Sequence, residues 1–195
     1  MNIIVAMCKN RGIGRNGSIP WIIKEDMQFF KNKTIGDKNN AVIMGRKTFD
    51  SLNGKLPKRD NYVISSTKPQ QKKGNVFVYN DIITATSEIV DRKKPYTDIW
   101  VIGGEQIYKW YLDANLVKDV YITNVLKDVE CDSFFPELSD DFIKINSGDV
   151  ILSKEHKILY NIDVYRNKFY NYTNQDVSHE LFLKQVDKIG FYGVI

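Results

Sequence analysis

Short runs of almost continuously apolar residues recur along the first two-thirds of this chain. They are rich in β-branched and aromatic side chains, and five of the first six lack the apolar–polar alternation of a sheet with one wet face. Such runs are typical of strands buried on both faces, which requires helices on either side of the sheet. We therefore predict an α/β domain with a mostly parallel central sheet. The eight predicted strands are NIIVAM, NAVIMG, NYVISS, NVFVY, DIWVIGG, VYITNV, FIKI and KILYNIDVYR.

Segments with the apolar spacing of helices separate several of these runs. The first covers residues 24–35, and a short helix is expected directly after Gly45. The last two predicted strands follow one another without a helix, so we expect them to form an antiparallel edge of the sheet. The predicted buried stripes are Met27, Phe30 and Thr34 in the first helix; Ile82, Ala85, Ile89 and Val90 in a second; and Ile107, Trp110 and Tyr111 in a third.

Composition limits the kind of protein this chain can be. Its 195 residues, 43% of them hydrophobic, suit one domain or one domain with a tail. Lysine and arginine number 28 against 24 acidic residues, without an extended basic run, which favours a small anionic ligand over a nucleic acid. Cys8 and Cys131 are far apart in sequence, which favours a reducing compartment over a disulfide scaffold or zinc site. No signal peptide or membrane span is evident, so we expect a soluble intracellular protein.

Glycines, hydroxyls and cations follow three of the predicted strands. In VIMGRKT a strand runs into Gly45, then into Arg46, Lys47 and Thr48 at an expected helix start, where free N–H groups and two cations would complement a phosphate. An ordinary strand–helix turn with two solvated cations explains the same residues. The other two segments are DIWVIGG, which ends in Gly103 and Gly104 without the third glycine of a Rossmann fingerprint, and YVISSTK, which ends in Ser65, Ser66 and Thr67.

Two charged residues stand in positions that allow either a structural or a functional interpretation. The segment GIGRNGSIPWIIKEDMQFF places Asp26 beside Met27, Phe29 and Phe30. Asp26 either complements the dipole in the first turn of a helix or is a desolvated acid whose pKa is raised toward the working range of a catalytic group. Arg59, just before a strand, is either a surface cation or a bidentate partner for a carboxylate.

Taken in order, these segments resemble dihydrofolate reductase. The resemblance spans residues 1–168. It implies one reductase domain, built on a central eight-stranded sheet with four flanking helices, that uses NADPH to reduce 7,8-dihydrofolate to tetrahydrofolate for one-carbon metabolism and thymidylate synthesis. The resemblance rests on GIGRNGSIPW followed by Asp26 and Phe30, then VIMGRKTFDSL, Arg59, NYVISS, WVIGG with Tyr108, YIT with Thr123, and VECDSFFP.

The resemblance implies roles for individual residues at the substrate. Asp26 would hold the amino-pyrimidine edge of the pterin and, with a water molecule, help deliver a proton. Thr123 would support Asp26 by a hydrogen bond, and Trp21 would wall the site and help position the water. Arg59 would bind the α-carboxylate of the glutamate tail. The substrate pocket would be lined by Ile4, Val5, Met27, Phe30, Leu52, Leu56 and Ile102.

For the cofactor, the resemblance implies NADPH, because cations and hydroxyls stand where a ribose 2′-phosphate would lie. The segment GIGRNGSIPW would be a mobile loop that closes over the nicotinamide. Three residues depart from the family pattern: Cys131, where bacterial relatives often have glycine; Phe49, where tryptophan is frequent; and Glu105, where a small residue is common. The expected cofactor-binding residues are Ala6, Ile13, Gly14, Ser18, Gly45, Arg46, Lys47, Thr48, Ser65, Ser66, Gly103, Gly104 and Tyr108, and no metal is expected.

Residues 169–195 have no counterpart in the single-domain enzymes of this family. A helix from Ser178 to about Ile189, with Ser178 as its N-cap, is predicted within them. The extension could pack on the domain, begin a fused thymidylate synthase, or serve as a contact for self-association. We expect a cytoplasmic monomer without nucleic-acid or membrane partners.

Two competing interpretations share the same fold. A riboflavin-pathway reductase would lack the pair of Trp21 and Asp26. A catalytically silent folate-, nucleotide- or RNA-binding protein would have no reason to keep Asp26, Arg59 and the phosphate-binding cluster together.

Overall fold

The computed structural model describes residues 1–52, 54–170 and Lys184. All eight strands predicted from the sequence are present, and two short ones extend the same sheet. The strands of the main sheet are β1 (Asn2–Cys8), β3 (Asn40–Gly45), β4 (Asp60–Ile64), β5 (Gln71–Lys73), β6 (Val76–Tyr79), β7 (Asp98–Val101), β8 (Asp119–Val125), β10 (Phe142–Ser147), β11 (Ile151–Leu152) and β12 (Leu159–Asn167). The helices are α1 (Lys24–Ile35), α2 (Arg46–Ser51), α3 (Ile82–Val90) and α4 (Glu105–Asp113), and β2 (Gly12–Gly14) pairs with β9 (Ser133–Phe134) outside the main sheet.

The order of strands in the main sheet is β10-β12-β8-β1-β7-β3-β4-β6-β5, and β11 pairs with β12. Every pairing from β8 to β6 is parallel. The pairings of β12 with β8 and with β10 are antiparallel, which confirms the predicted C-terminal edge. The unpredicted strand β5 adds an antiparallel strand at the other edge. Its sequence, QKK, is fully exposed and has none of the apolar character that marks a buried strand.

Helices cover both faces of the parallel strands, as the continuous apolar runs require. Neighbouring residues of a strand point to opposite faces, so Ile3 and Val5 belong to the core under α3 and α4. Ile4, between them, belongs to the core under α1 and α2. The strands therefore divide the interior into two apolar layers, one on each side of the sheet.

The buried stripe of α1 is shifted from the predicted one. Met27 is 62% exposed, whereas Thr34 is fully buried and Phe29 and Phe30 pack against the sheet. A helix turns by about 100° per residue, so the face that carries Asp26, Phe30 and Thr34 leaves Met27 on its flank. The inward stripe of α1 thus begins with a carboxylate instead of a methionine.

The C-terminal extension and its predicted helix at 178–189 lie almost wholly outside the described residues. Within the described ranges, no helix is long and apolar enough to span a membrane. The same ranges contain no cluster of three or more side chains suited to holding a metal ion.

A buried carboxylate ties the antiparallel edge together. Asp163 on β12 accepts hydrogen bonds from Lys144 Nζ (2.7 Å), Ser147 Oγ (3.0 Å), Asn124 Nδ2 (3.0 Å) and Asn161 Nδ2 (2.7 Å). These donors come from β8, β10 and β12, so one side chain links three strands. Because Asp163 is only 4% exposed, water cannot replace these partners.

We expect Asp163→Asn to lower the free energy of unfolding by about 2 kcal/mol, because an amide cannot accept from all four donors. Urea denaturation followed by circular dichroism measures the change. The matched control is Asp128→Asn, since Asp128 is exposed and pairs with Lys9 at 3.6 Å; it should cost about 0.5 kcal/mol or less. Equal losses for the two variants would contradict a central role for Asp163.

Candidate active site

A half-buried carboxylate lies where α1 crosses the carboxyl-terminal half of the central strands. Asp26 Oδ1 accepts a hydrogen bond of 2.5 Å from the hydroxyl of Thr123 on β8. Burial raises the pKa of Asp26 above its ordinary value, and the Thr123 hydroxyl lowers that pKa by a smaller amount. Among the described residues, no cation forms an ion pair with Asp26. The carboxyl group is therefore poised to hold or release a proton above the normal range of an aspartate.

Trp21 lies beside the N-terminal end of α1, which carries Asp26. It is 8% exposed and packs with Cys8, Ile23, Val125 and Tyr160 in a third apolar cluster. Ala6 packs against the same cluster. It is one of the residues expected to contact a cofactor. The structure thus places the three residues predicted as catalytic, Trp21, Asp26 and Thr123, around the C-terminal ends of β1 and β8.

Most residues predicted to line a substrate pocket do come together. Ile4, Phe30, Leu52, Leu56 and Ile102 all belong to the apolar layer between the sheet and α1. Two others do not join them. Val5 points into the opposite layer, under α3 and α4, and Met27 is exposed. The alternation of side chains along a strand makes it impossible for adjacent Ile4 and Val5 to face one pocket with both side chains.

Arg59 is a buried cation at the far end of this layer. It is 5% exposed, its guanidinium donates to Thr34 Oγ1 and to the carbonyl of Pro57, and it lies 5.9 Å from the centre of the Phe30 ring. Burial lowers the pKa of Arg59, and among the described residues no carboxylate forms an ion pair with it. Buried charges are normally paired. Arg59 therefore has the properties of a receptor for a carboxylate.

The predicted glycine turns meet at the same edge of the sheet, because β3 and β7 are adjacent and parallel. The Gly45 N–H donates to the Gly103 carbonyl at 2.8 Å, and the Gly103–Gly104 peptide is cis. Gly103 has φ +107°, and a side-chain carbon there would lie 3.0 Å from the ring of Tyr108. A side-chain carbon on Gly104 would lie 3.5 Å from Thr48 Oγ1. Backbone without side chains thus lies at this sheet edge, between the starts of α2 and α4.

Tyr108 packs beside Gly103. Its ring is buried, its hydroxyl donates to the Ile4 carbonyl at 3.0 Å, and burial strongly raises its pKa. Glu105, the unusual residue after the paired glycines, accepts from the Phe134 backbone N–H at 2.9 Å. Its carboxylate is therefore bound to β9.

The cation cluster beyond Gly45 includes Asp50 and Lys68, two residues that the sequence analysis did not predict. Arg46 pairs with Asp50 at 2.9 Å, and Lys68 reaches the other oxygen of Asp50 at 2.9 Å. Lys47 is exposed, while Ser65 is buried and accepts from the Lys68 backbone N–H at 3.0 Å. Asp50 follows Arg46 by one helical turn, a spacing that could have revealed the pair. Ser66 is exposed beside Ser65.

The segment that was expected to be mobile packs tightly at its start. A side-chain carbon on Gly12 would lie 2.4 Å from Cys131 Sγ and 2.9 Å from Cys8 Sγ. The two sulfurs are 3.8 Å apart as free thiols, and burial raises the pKa of Cys131 to about 11. Farther along, Ile13 and Gly14 belong to β2, and Ser18 exchanges backbone hydrogen bonds with Arg15 in a turn.

Comparison with known proteins places this architecture in a family. The family model described as dihydrofolate reductase matches residues 1–167. The chain belongs to the dihydrofolate reductase family. This confirms the resemblance read from the sequence and the prediction of an oxidoreductase of this family.

Individual relatives agree with this assignment. The dihydrofolate reductase of Drosophila melanogaster is 33% identical over 153 residues, which cover 74% of this chain and 83% of the relative. A relative from Caenorhabditis elegans is 40% identical over 156 residues, covering 74% of this chain and 80% of its own length. The bifunctional dihydrofolate reductase-thymidylate synthase of Daucus carota is 35% identical over 189 residues, which cover 89% of this chain but 35% of that longer protein.

In this dihydrofolate reductase family member, Gly12 and Cys131 form a size-matched pair. We expect Gly12→Ala to lower the free energy of unfolding by about 1–3 kcal/mol, because the added methyl group would overlap Cys131. Cys131→Gly in the same chain should recover most of that loss. Urea denaturation of the three variants measures both effects.

Gly14→Ala provides the control. A side-chain carbon at Gly14 would meet the Ser18 carbonyl at an ordinary 3.5 Å. Its unfolding free energy should remain within about 0.5 kcal/mol of the parent chain. If Cys131→Gly does not restore the unfolding free energy lost in Gly12→Ala, the steric explanation is wrong.

Proposed function

We propose that this protein reduces 7,8-dihydrofolate to 5,6,7,8-tetrahydrofolate with NADPH. The observation that carries the proposal is the Asp26 carboxyl group, half-buried, hydrogen-bonded to Thr123 and without a cation partner among the described residues. The family assignment and the arrangement around Asp26 support the same reaction. The monomeric state, the cytoplasmic location and the division at residue 168 stay predictions.

At the substrate, Asp26 would accept hydrogen bonds from the amino-pyrimidine edge of the pterin. The same carboxyl group would supply a proton, through a water molecule, to the ring nitrogen beside the carbon that is reduced. Desolvation favours the protonated carboxyl group, so a useful fraction of Asp26 would carry that proton at higher pH than a solvated aspartate allows. Thr123 would fix the direction of the carboxyl group, and Trp21 would keep bulk water away.

The two ends of the substrate would meet opposite charges. Asp26 lies in the first turn of α1, and the buried guanidinium of Arg59 bonds to Thr34 in the last turn, with Phe30 of the apolar layer between them. A flat aromatic molecule with a hydrogen-bond donor edge and a terminal carboxylate fits this order of groups. Dihydrofolate is such a molecule, and Arg59 would bind the α-carboxylate of its glutamate.

The glycine turns would accept a dinucleotide. A side-chain carbon on Gly103 would lie 3.0 Å from the Tyr108 ring, so only glycine fits there, and the N-terminus of α4 has no side-chain cap among the described residues. Arg46, Lys68 and Ser65 would surround the 2′-phosphate, and Lys47 would add a further cation. NADPH, when bound there, supplies the hydride; the chain supplies its position and the electrostatic environment.

The first test is the pH dependence of dihydrofolate reduction, followed by the loss of NADPH absorbance from pH 5 to 9. In the parent enzyme kcat/KM should fall as pH rises through the raised pKa of Asp26, because only the protonated form can donate. Asp26→Asn should lower kcat by about 10²- to 10⁴-fold near pH 7 and abolish that dependence. Full activity in this variant would exclude Asp26 as the acid.

Thr123→Val is the companion variant, because it keeps the acid and the shape but removes the hydrogen bond to it. The Thr123 hydroxyl lowers the pKa of Asp26, so its loss should shift the fall in kcat/KM to higher pH. A simple folding defect would reduce activity equally at every pH.

The second test concerns the cofactor. Arg46→Ala combined with Lys68→Ala should raise KM for NADPH about tenfold or more and leave KM for NADH within about twofold, because only NADPH carries the 2′-phosphate. Steady-state kinetics with both cofactors measures the ratio. Lys109→Ala, on the exposed face of α4, is the control and should change neither constant. Equal losses for both cofactors would place the 2′-phosphate elsewhere.

A further inference from the structure

Two free thiols meet where the end of β1 passes the residues that lead into β9. Cys8 is 2% exposed, and Cys131 is half-buried between the exposed residues Glu130 and Asp132. Their sulfurs lie 3.8 Å apart, although 123 positions separate the two residues in the chain. They are the only cysteines of the sequence, and neither has a role in the proposed reaction.

The two sulfurs need little movement to become bonded. A disulfide holds its sulfurs about 2 Å apart, so this pair has to close by about 1.8 Å. The Cys8 thiol donates to Asn10 Oδ1 at 2.9 Å, and the Gly12 backbone N–H donates to the same oxygen at 3.1 Å. Loss of the Cys8 proton would therefore leave Asn10 Oδ1 with its second donor.

Cys131 begins a strip of chain, residues 131–135, that holds the start of the segment expected to be mobile. The Asp132 N–H donates to the Gly14 carbonyl at 3.0 Å, and Asp132 Oδ2 accepts from the Asn16 N–H at 2.7 Å. One further backbone bond, of 2.8 Å, runs from the Phe135 N–H to the carbonyl of residue 11. A covalent bond between Cys131 and Cys8 would therefore attach this strip to a central strand of the sheet.

We propose that Cys8 and Cys131 form a redox modification site, which a small disulfide such as oxidised glutathione converts into an intramolecular disulfide. The Cys131 thiolate attacks one sulfur of the reagent, which releases one thiol and leaves a mixed disulfide on Cys131. Cys8 then loses its proton and attacks Cys131 Sγ, which displaces the second thiol. Two electrons and two protons pass from the protein to the reagent, and a dithiol reductant reverses both steps.

The surroundings of Cys131 determine the conditions for this reaction. Burial, together with the contact with Cys8 and the charge of Asp132, raises the pKa of Cys131 to about 11. Because only the thiolate attacks a disulfide, the first step should be slow at neutral pH and faster at higher pH. Glu130, which pairs with Arg15 at 3.0 Å, is a second carboxylate beside Cys131. An uncharged reagent avoids repulsion by these carboxylates.

The test treats the reduced chain with bis(2-hydroxyethyl) disulfide at about pH 8.5. By intact mass the product should be lighter by two hydrogens, and dithiothreitol should restore the starting mass. The midpoint of urea unfolding should rise by about 1 M or more, because the bond closes a long loop in the unfolded chain. A chain that keeps both thiols free, that retains a reagent fragment, or that gains no stability would overturn the proposal.

Two variants test the order of attack. Cys8→Ala should stop at the mixed disulfide and become one mercaptoethanol heavier, because the second thiol is missing. Cys131→Ser should gain neither a mercaptoethanol nor a higher urea midpoint, because Cys8 is only 2% exposed. Modification of Cys8 in Cys131→Ser as fast as the parent chain reacts would overturn the role of Cys131 as the attacking thiol.

The effect of the bond on turnover rests on the proposed function, in which the segment beginning at Gly12 closes over the nicotinamide. The disulfide would anchor the strip that holds this segment, so kcat should fall about three- to tenfold and recover with dithiothreitol. Cys131→Ser given the same treatment should keep its kcat. An unchanged kcat in the oxidised parent would overturn control of the segment by the bond. Absence of turnover in the reduced chain would overturn the proposed function alone, since the mass and urea measurements do not depend on it.

Discussion

Parallel pairing of β1 with both β7 and β8 is the constraint on which the other parts depend. It brings the carboxyl ends of three strands to one edge and sends alternate side chains into two separate apolar layers. Thr123 reaches Asp26 because β8 continues beside β1 as far as its end. The glycine turns meet because β3 lies on the other side of β7. Strand order alone thus brings the chemical groups close to one another.

Asp26 and Arg59 illustrate how an enzyme keeps ionisable groups without pairing them. Asp26 is half-buried and Arg59 is buried, and neither forms an ion pair with another described residue. Pairing the two directly would stabilise the fold but leave nothing for a ligand to satisfy. Separation by an apolar layer keeps both available, and it gives the site a direction, with a hydrogen-bond acceptor at one end and a cation at the other.

Much of the fold could be predicted because burial on both faces is visible in the sequence pattern: apolar runs mark the main strands, and apolar spacing marks three of the four helices. The short helix α2 has no buried residue and was expected only from the turn at Gly45. Strand β5 could not be predicted, because its sequence QKK is held by pairing with β6 and not by burial. The sequence analysis predicts Met27 in the buried stripe of α1, but the neighbouring residue Asp26 begins that stripe. The alternation of side chains along β1 would have been enough to predict that Val5 and Ile4 face opposite apolar layers. The contact of Lys68 with Asp50 joins distant segments, and no local pattern in one sequence indicates it.

The cation cluster of Arg46 and Lys68 already contains an anion, the carboxylate of Asp50. Arg46 and Lys68 already share it, so their charges are partly balanced before any phosphate arrives. The proposed binding of a cofactor phosphate there would therefore be an exchange, in which a dianion displaces a monoanion from the same donors. The net gain would be the difference between the two attractions, which is smaller than the attraction to the phosphate alone. Such a site would discriminate by charge and geometry while letting its ligand leave readily, a property suited to a cofactor that must be released in every cycle.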